Sequence, residues 1–262
     1  MKTALIAFIG EIRKCLLIAW TYKANTFISL FTLGFIFIGI VFFISGVKLD
    51  PDKVVSALLG YLTWMYAVSA ISDLSFGLSG EISAGTLEQL EMSPAPISLL
   101  LSGRVIANLI ITTLQVILMG AAMFLLFNIR FPLRLEALLV LLITLVGVFG
   151  FGFIIAGAML IFKQVESFSN LMNNALAFLN GSFLPVSAMP AWLAVISTTL
   201  PSTQGIVVIR EIILENKTLA ATWQDGSLTG LILHSAIYLV VGWLIFNACE
   251  RVAKNRGSLG QY

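Results

Sequence analysis

The sequence predicts an all-α, polytopic membrane protein with six transmembrane helices. Of its 262 residues, 59% are hydrophobic and only 11% are charged, and the mean hydropathy is +1.01. A soluble domain of this length would have about twice that charged fraction. The few charged residues are also unevenly spaced, so the chain contains long stretches without any of them. We interpret residues 1–262 as a single transmembrane domain.

Charge-free stretches locate the membrane-spanning segments, since a helix needs about 20 apolar residues to cross the hydrocarbon core. Five stretches have this size: Lys23 to Lys48, Lys53 to Asp73, Arg104 to Arg130, Glu136 to Lys163, and Asp225 to Glu250. A sixth, Ser167 to Ile209, has 43 residues and contains three prolines. As one helix it would be about 65 Å long. We therefore divide it into a span from Ser167 to about Phe183 and a broken segment.

The broken segment is either a seventh span or a re-entrant helix, and the charge distribution favours the second. The positive-inside rule places both chain termini in the cytoplasm and so requires an even number of spans. The basic residues of these termini are Lys2, Arg13, Lys14, Lys23, Arg251, Lys254 and Arg256. Six spans put nine Lys and Arg residues inside and six outside. We predict a cell-membrane protein with residues 184–226 outside and a re-entrant helix near Pro190–Leu200.

Residues 1–22 predict an amphipathic helix that lies in the inner membrane interface. Its apolar residues follow helical spacing and end on an aromatic one at headgroup level: Leu5, Ile9, Ile12, Leu16 and Trp20. Glu11, Arg13 and Lys14 interrupt the part that would be apolar in a cleaved signal peptide. A cytoplasmic helix packed on the protein itself is the alternative.

Residues 77–96 form a polar segment between the second and third predicted spans. The segment contains Glu81, Glu88 and Glu91 but no Lys or Arg. We expect three glycines to break it into short pieces: Gly77, Gly80 and Gly85. Thr86 followed by Gln89 has the spacing of a capping box, which predicts a short helix, and Pro94 and Pro96 would end that helix. Such an acidic helix suits docking of a soluble partner; a plain connecting loop is the alternative.

Two motifs resemble the type-2 ABC exporter permeases, in particular the drug and antibiotic efflux branch. The first is Glu81-x-x-x-Gly85-Thr86-Leu87-Glu88-x-Leu90-x-x-Ser93-Pro94. The second is Gly181-x-Phe183-x-Pro185, followed by Met189-Pro190-x-Trp192-Leu193, Leu200-Pro201 and Arg210. The first motif corresponds to the family's coupling helix, which touches the ATPase subunit. The resemblance therefore implies that this subunit contacts Glu81, Gly85, Thr86, Leu87, Glu88 and Leu90.

The resemblance also implies how the protein works. Two permease copies, identical or paralogous, would associate with two ATP-binding subunits and move a drug, lipid or glycolipid outward by alternating access. The chain has no phosphate-binding loop and no nucleophile paired with a histidine. We therefore expect no enzyme activity, cofactor or metal on this chain, with ATP and Mg²⁺ on the partner subunit, and no nucleic acid.

Polar residues in the later apolar stretches are candidates for the transport route. Asn170, Asn173 and Asn174 have i, i+3, i+4 spacing, so we expect them on one helix face. They either join helices or face a polar route; both interpretations remain open. Beyond them, three residues would line an outer gate or only seal the bundle: Pro185, Pro190 and Trp192. We expect Arg210 and Glu211 to mark where the chain is again fully solvated.

Two other classes of protein remain as alternatives. An ion-coupled secondary transporter would need ionisable residues at mid-membrane, and His234 is the candidate. We interpret that residue instead as a neutral histidine bonded to a neighbouring helix. A membrane assembly factor would use residues 77–96 only to recruit a soluble partner.

Overall fold

The computed structural model describes residues 2–45, 51–83, 92, 95–127, 134–162, 166–183 and 185–255. Within these ranges the protein is all-α, as predicted. The helices are α1 (Lys2–Thr21), α2 (Lys23–Ser45), α3 (Pro51–Ser83), α4 (Ile97–Phe127), α5 (Leu135–Phe162), α6 (Glu166–Leu179), α7 (Ala191–Thr199), α8 (Pro201–Ile213), α9 (Leu219–Gln224) and α10 (Ser227–Asn255), with a 3₁₀ turn at Val186–Ala188.

Five of the described helices are long and apolar enough to cross a membrane: α2, α3, α4, α5 and α10. Each covers most of one of the five charge-free stretches, which confirms the predicted positions. α3 lies at the centre of the bundle, because 72% of its apolar window is buried compared with 11% for α2. It packs against α4, α5, α6 and α8, whereas α2 lies at the periphery.

Glycines bring α5 and α10 into close contact. Three of them on α5 lie against residues of α10: Gly147 against Ser235, Gly150 against Tyr238, and Gly157 against Phe246. Residue numbers rise together along both helices, so the two helices are parallel. A Cβ atom at Gly150 would overlap the Tyr238 carbonyl group. The small residues at these positions therefore allow the two helices to pack closely.

α3 continues through the first part of the predicted polar segment and ends at Ser83. Gly77 and Gly80 therefore lie inside a helix, and the prediction that they break the chain is wrong. A glycine within a helix costs only about 1 kcal/mol relative to alanine, and packing of a 33-residue helix offsets this. Gly77 also has a packing role, since its carbonyl accepts a hydrogen bond from Arg104 Nη1 at 3.2 Å.

The predicted fifth span is shorter than expected. α6 has 14 residues, about 21 Å of helix, and Asn180–Phe183 continue without helical structure. The segment runs antiparallel to α3, from Asn173 beside Ser72 to Ser182 beside Gly60. Because Ser72 and Gly60 are about 18 Å apart along α3, α6 and residues 180–183 together extend along this length of α3, in the direction predicted for the fifth span.

α7 and α8 are bent by 98° relative to each other at Leu200. Next to this bend, the Thr199 carbonyl accepts a hydrogen bond from the Tyr238 hydroxyl at 2.6 Å. Tyr238 lies about 16 Å along α10 from Ser227, so the bend is deep in the bundle. α8 then runs back until Arg210 meets Ser56 near the start of α3. A helix pair that enters and leaves from one end is consistent with the predicted re-entrant segment.

Candidate functional site

At the predicted inner end of the bundle, one arginine joins three helices. Arg104 of α4 contacts Glu11 of α1 through Nε (2.6 Å to Oε1) and Glu81 of α3 through Nη2 (2.5 Å to Oε1). The side chains of Arg104 and Glu11 are only 12% and 11% exposed. Lys14 donates to the same Glu11 oxygen at 2.6 Å. We call Glu11, Glu81 and Arg104 the inner ion cluster.

Helix packing and the shape of the guanidinium group explain this cluster. A Cβ atom at Gly103 would lie 3.3 Å from Phe8 of α1, so glycine lets α1 approach α4 closely. The guanidinium group presents five N–H donors in one plane and can bond two carboxylates and a carbonyl together. The cluster therefore holds α1 against the inner ends of α3 and α4.

The inner ion cluster lies where the predicted coupling segment leaves the bundle. Glu81, one of the predicted ATPase contacts, belongs to the cluster and is followed within α3 only by Ile82 and Ser83. The other predicted contacts lie outside the described residues: Gly85, Thr86, Leu87, Glu88 and Leu90. A displacement of the chain after Ser83 would therefore act on Arg104, and through it on α1 and α4.

The predicted apolar stripe of α1 is partly exposed and partly buried against the bundle. Leu5, Ile9 and Trp20 are exposed, whereas Ile12 and Leu16 are half-buried. One face of α1 packs on α4, and Lys23 lies over the Trp20 ring at 5.6 Å from its centroid. An exposed apolar edge beside basic residues suits an interfacial helix.

The three asparagines of α6 do not share one environment, contrary to the expectation of a common face. Asn173 is buried and donates its Nδ2 to Ser72 Oγ at 3.0 Å. Asn170 and Asn174 are exposed. They lie one turn apart, and around the helix axis they are about 60° and about 100° away from Asn173. Asn173 therefore joins α6 to α3, while the other two amides point away from the bundle.

A buried polar core holds residues 180–183. The sequence did not predict these contacts. Asn180 Oδ1 accepts hydrogen bonds from the N–H and the hydroxyl of Ser182 at 3.0 and 2.5 Å, and Asn180 Nδ2 donates to Ser202 Oγ at 3.3 Å. All three residues are fully buried. Non-helical backbone persists at membrane depth only where the protein satisfies its polar groups. This network therefore allows the helix to end at Leu179.

Arg210 completes this core, and the prediction that it marks the fully solvated chain is wrong. It donates to the carbonyls of Ser56 and Ser182, each at 3.0 Å, and is partly buried. Gly60 provides the space, since a Cβ atom there would lie 2.7 Å from Arg210 Nη2. Arg210 therefore fixes α8 to α3 and to residues 180–183.

A charged edge lies further along the chain, at the predicted outer end of the bundle. Lys217 contacts Glu211 at 3.1 Å and Asp225 at 3.2 Å. The hydrogen bond with Glu211 raises the pKa of Lys217. The backbone N–H of Ser227 donates to Asp225 and lowers the pKa of that carboxyl group. These shifts keep both groups charged, which is expected of a solvated turn held by ion pairs.

The predicted gate residues lie on the surface around α7. Pro185, Pro190 and Trp192 are all exposed, Trp192 to 67%. Pro190 directly precedes α7 and Pro201 is the first residue of α8; at these positions the missing N–H of proline costs nothing. The prolines therefore set the starts of the two bent helices, and Trp192 projects from the first turn of α7.

His234 has a packing role in the described part of the chain. Its ring stands edge-on to Tyr238, with the centroids 5.0 Å apart, and its buried Nδ1 has no hydrogen-bond partner among the described residues. Tyr238 donates its hydroxyl to the Thr199 carbonyl. His234 therefore packs against the side chain that holds the end of α7, and its predicted bond to a neighbouring helix stays a prediction.

One family model matches most of this chain. The family model described as ABC-2 type transporter matches residues 13–214, from the middle of α1 to the end of α8. No curated protein matches the chain. The matched region contains four of the five long apolar helices, α2, α3, α4 and α5. It also contains Glu81 and Arg104 of the inner ion cluster and the whole buried polar core. The chain therefore belongs to the ABC-2 type transporter family and is the multi-pass membrane permease component of an ABC transporter.

Proposed function

We propose that this permease is the transmembrane subunit of an ATP-driven exporter for a hydrophobic or amphiphilic substrate, such as a drug, a lipid or a glycolipid. Two permease copies, identical or paralogous, associate with two ATP-binding subunits, which hold ATP and Mg²⁺. The two sequence motifs that resemble type-2 exporter permeases support the outward direction. They place the coupling segment and the gate at opposite ends of the bundle.

The inner ion cluster is the observation that carries this proposal. Arg104 links Glu81, at the base of the coupling segment, to Glu11 of α1 and to its own helix α4. When the ATP-binding subunits close on ATP, they would pull the coupling segment with them. Because Arg104 holds three helices, α1, α3 and α4 would then tilt together.

At the other end, the bent pair α7–α8 is suited to an outer gate. The pair is bent by 98°, and Trp192, Val195 and Ile196 are exposed on α7. α8 is fixed to α3 by Arg210, whereas α7 has few buried residues. In this proposal α7 moves between the two permease copies while α8 stays in place. A cap that only seals the bundle is the alternative.

Placing a positive charge in the coupling segment tests the proposal. Glu88→Arg, and separately Leu87→Arg, should remove the stimulation of ATP hydrolysis by the permease and lower transport at least tenfold in reconstituted vesicles. The reason is that the substituted residues lie in the predicted contact with the ATP-binding subunit. Membrane insertion should be unchanged.

Glu91→Arg is the matched control, since it changes the same charge outside the predicted contact set. It should retain stimulation and transport. Unchanged stimulation and transport in Glu88→Arg would contradict the proposed coupling. A permease that transports without any dependence on ATP would favour the ion-coupled alternative, and one that transports nothing would favour the assembly factor.

A further inference from the structure

A polar groove runs along the bundle between α1, α2, α3 and α4, next to the inner ion cluster. Two adjoining cavities of about 430 and 380 Å³ form it, and both are lined by Asn25, Ser72 and Asn108. Arg104 lies at one end and Gln115 at the other. These two residues are about 16 Å apart along α4, so the groove reaches well into the apolar part of the bundle.

Several polar groups in this groove lack a partner. The side-chain amides of Asn108 and Gln115 form no hydrogen bond with any residue that the structure describes. The indole N–H of Trp64 is buried and is likewise unpaired within the described ranges. All three residues belong to helices that are long and apolar enough to span the membrane. Unpaired polar groups at that depth are costly, and a molecule that brings hydrogen-bonding groups into the groove would satisfy them.

The charges at the end of the groove are balanced. Arg104 and Lys14 carry two positive charges, and Glu11 and Glu81 carry two negative charges within the same network. Among the described residues that line the groove, an ionic headgroup would find no unpaired counterion. The groove therefore favours a headgroup that forms hydrogen bonds without carrying a net charge.

An apolar groove continues from the polar groove along α2 and α4. A cavity of about 360 Å³ between α2 and α4 is lined almost entirely by apolar side chains, including Phe31, Leu118 and Met123. Gly34 widens it, and a Cβ atom there would touch the Met119 sulfur. Leu118 follows Gln115 by less than one helical turn. The polar and apolar grooves therefore adjoin each other.

We propose that the two grooves bind an amphiphile from the inner leaflet that has a bulky, uncharged, hydroxyl-bearing headgroup. The headgroup lies along Asn108 and Gln115, and the alkyl chain lies between α2 and α4. In this orientation the head points toward the predicted inner end, as in an inner-leaflet lipid, and the chain begins beyond Gln115, near the middle of α4. The 16 Å polar length suits a sugar-bearing headgroup. The inference that this amphiphile is the cargo rests on the proposed export function; its binding does not.

Photolabelling tests the site directly. The probe is dodecyl maltoside with a diazirine in its alkyl chain, added to the full-length permease with its ATP-binding subunit in lipid nanodiscs. Mass spectrometry should find the label on α4 between Leu118 and Met123. The double variant Asn108→Leu, Gln115→Leu should lower this labelling at least fivefold, because it removes both unpaired amides. Thr32→Val is the matched control; it removes an exposed hydroxyl on α2 outside the grooves and should label like the wild type.

Two further comparisons decide whether the headgroup is recognised. The pair Asn108→Gln, Gln115→Asn keeps both amides and should retain at least half of the labelling. The same photoreactive chain on a quaternary ammonium headgroup should label α4 at least fivefold less than the maltoside. The proposal is overturned by equal labelling in the leucine pair and the wild type, by conservative variants that label no better than the leucine pair, or by equal labelling with both headgroups. Intact labelling in a complex that shows no ATP-driven transport would contradict the export function and leave the site standing.

Discussion

At the residue scale, one arginine joins three helices in the inner ion cluster. Its two carboxylates come from α1 and α3, which are far apart in the sequence, and Arg104 lies between them. Glu81 is 22% exposed and Glu11 11%. Because the cluster is mostly shielded from water, removing one member leaves charges that solvent only partly compensates.

Arg104→Gln should therefore destabilise the permease by about 2–4 kcal/mol, since two carboxylates would face each other without the cation between them. The thermal unfolding midpoint in detergent measures this. The triple variant Glu11→Gln, Glu81→Gln, Arg104→Gln should recover much of the loss, because it removes the uncompensated charge. A triple variant no more stable than Arg104→Gln alone would show that the charges themselves are not responsible.

The close approach at Gly60 leads to a second prediction at this scale. Gly60→Ala should destabilise the permease by about 1–3 kcal/mol, because the added methyl group overpacks a filled region. That methyl group would lie 2.7 Å from Arg210 Nη2 and 2.8 Å from the Ser182 Cα atom. Gly230→Ala is the control, with nothing within 4 Å of the added atom. If both variants unfold at the same temperature, the space at Gly60 is not needed.

At the element scale, polar contacts hold α6 and α8 in the bundle, whereas α7 is held by little buried surface. α6 ends where Asn180 and Ser182 satisfy the backbone, and α8 is held by Arg210. α7 has only one buried residue, Ser197. The element least anchored by packing is therefore the one with the exposed apolar face, which is expected of a part that moves.

Cysteine reactivity along α7 should depend on nucleotide if this helix forms the gate. After Cys15 and Cys249 are replaced, Val195→Cys should react with a membrane-impermeant maleimide at rates that differ between the ATP-bound and nucleotide-free exporter. Val195 is 67% exposed, whereas Ser197 is fully buried, so Ser197→Cys should react slowly in both states. A disulfide between the two copies at position 195 should block transport reversibly. Nucleotide-independent reactivity, with full transport after cross-linking, would leave α7 only a sealing role.

At the scale of the whole molecule, parallel and antiparallel contacts define the path of the chain. α3, α5 and α10 run in one direction, while α4 and α6 run in the other. The pair α7–α8 is bent by 98° at Leu200, as either a broken span or a re-entrant helix would be. Basic residues at both termini predict an even number of passages, which the re-entrant interpretation provides.

Cysteine labelling from each side of the membrane tests this path. Thr86→Cys and Ser258→Cys should react only from the inside, and Glu215→Cys only from the outside, beside the charged turn at Lys217. The reason is that six passages return both the coupling segment and the C-terminal tail to the inner side. Labelling of Ser258→Cys from the outside alone would mean seven spans and would contradict the re-entrant interpretation of α7.

The sequence predicted the elements that depend on local composition. Lengths of uninterrupted apolar chain locate the five long helices, because crossing a membrane imposes a minimum apolar length whatever the helix packs against. Prolines likewise locate the starts of α7 and α8, since proline disfavours the helical conformation in the residue before it and removes a donor.

Tertiary structure alone decided which polar residues meet. Glu11 and Arg104 are 93 residues apart in sequence, and Arg210 and Ser56 are 154 apart. Spacing along one helix carries no information about such pairs. The sequence therefore indicated Arg104 only as the end of a span and Arg210 as the start of the solvated chain. Gly77 shows the same limit: its local preference predicts a break, but the packing of the long helix α3 offsets that preference. Local chemistry thus determined where the chain can be helical and apolar, and long-range packing decided which buried polar groups satisfy one another.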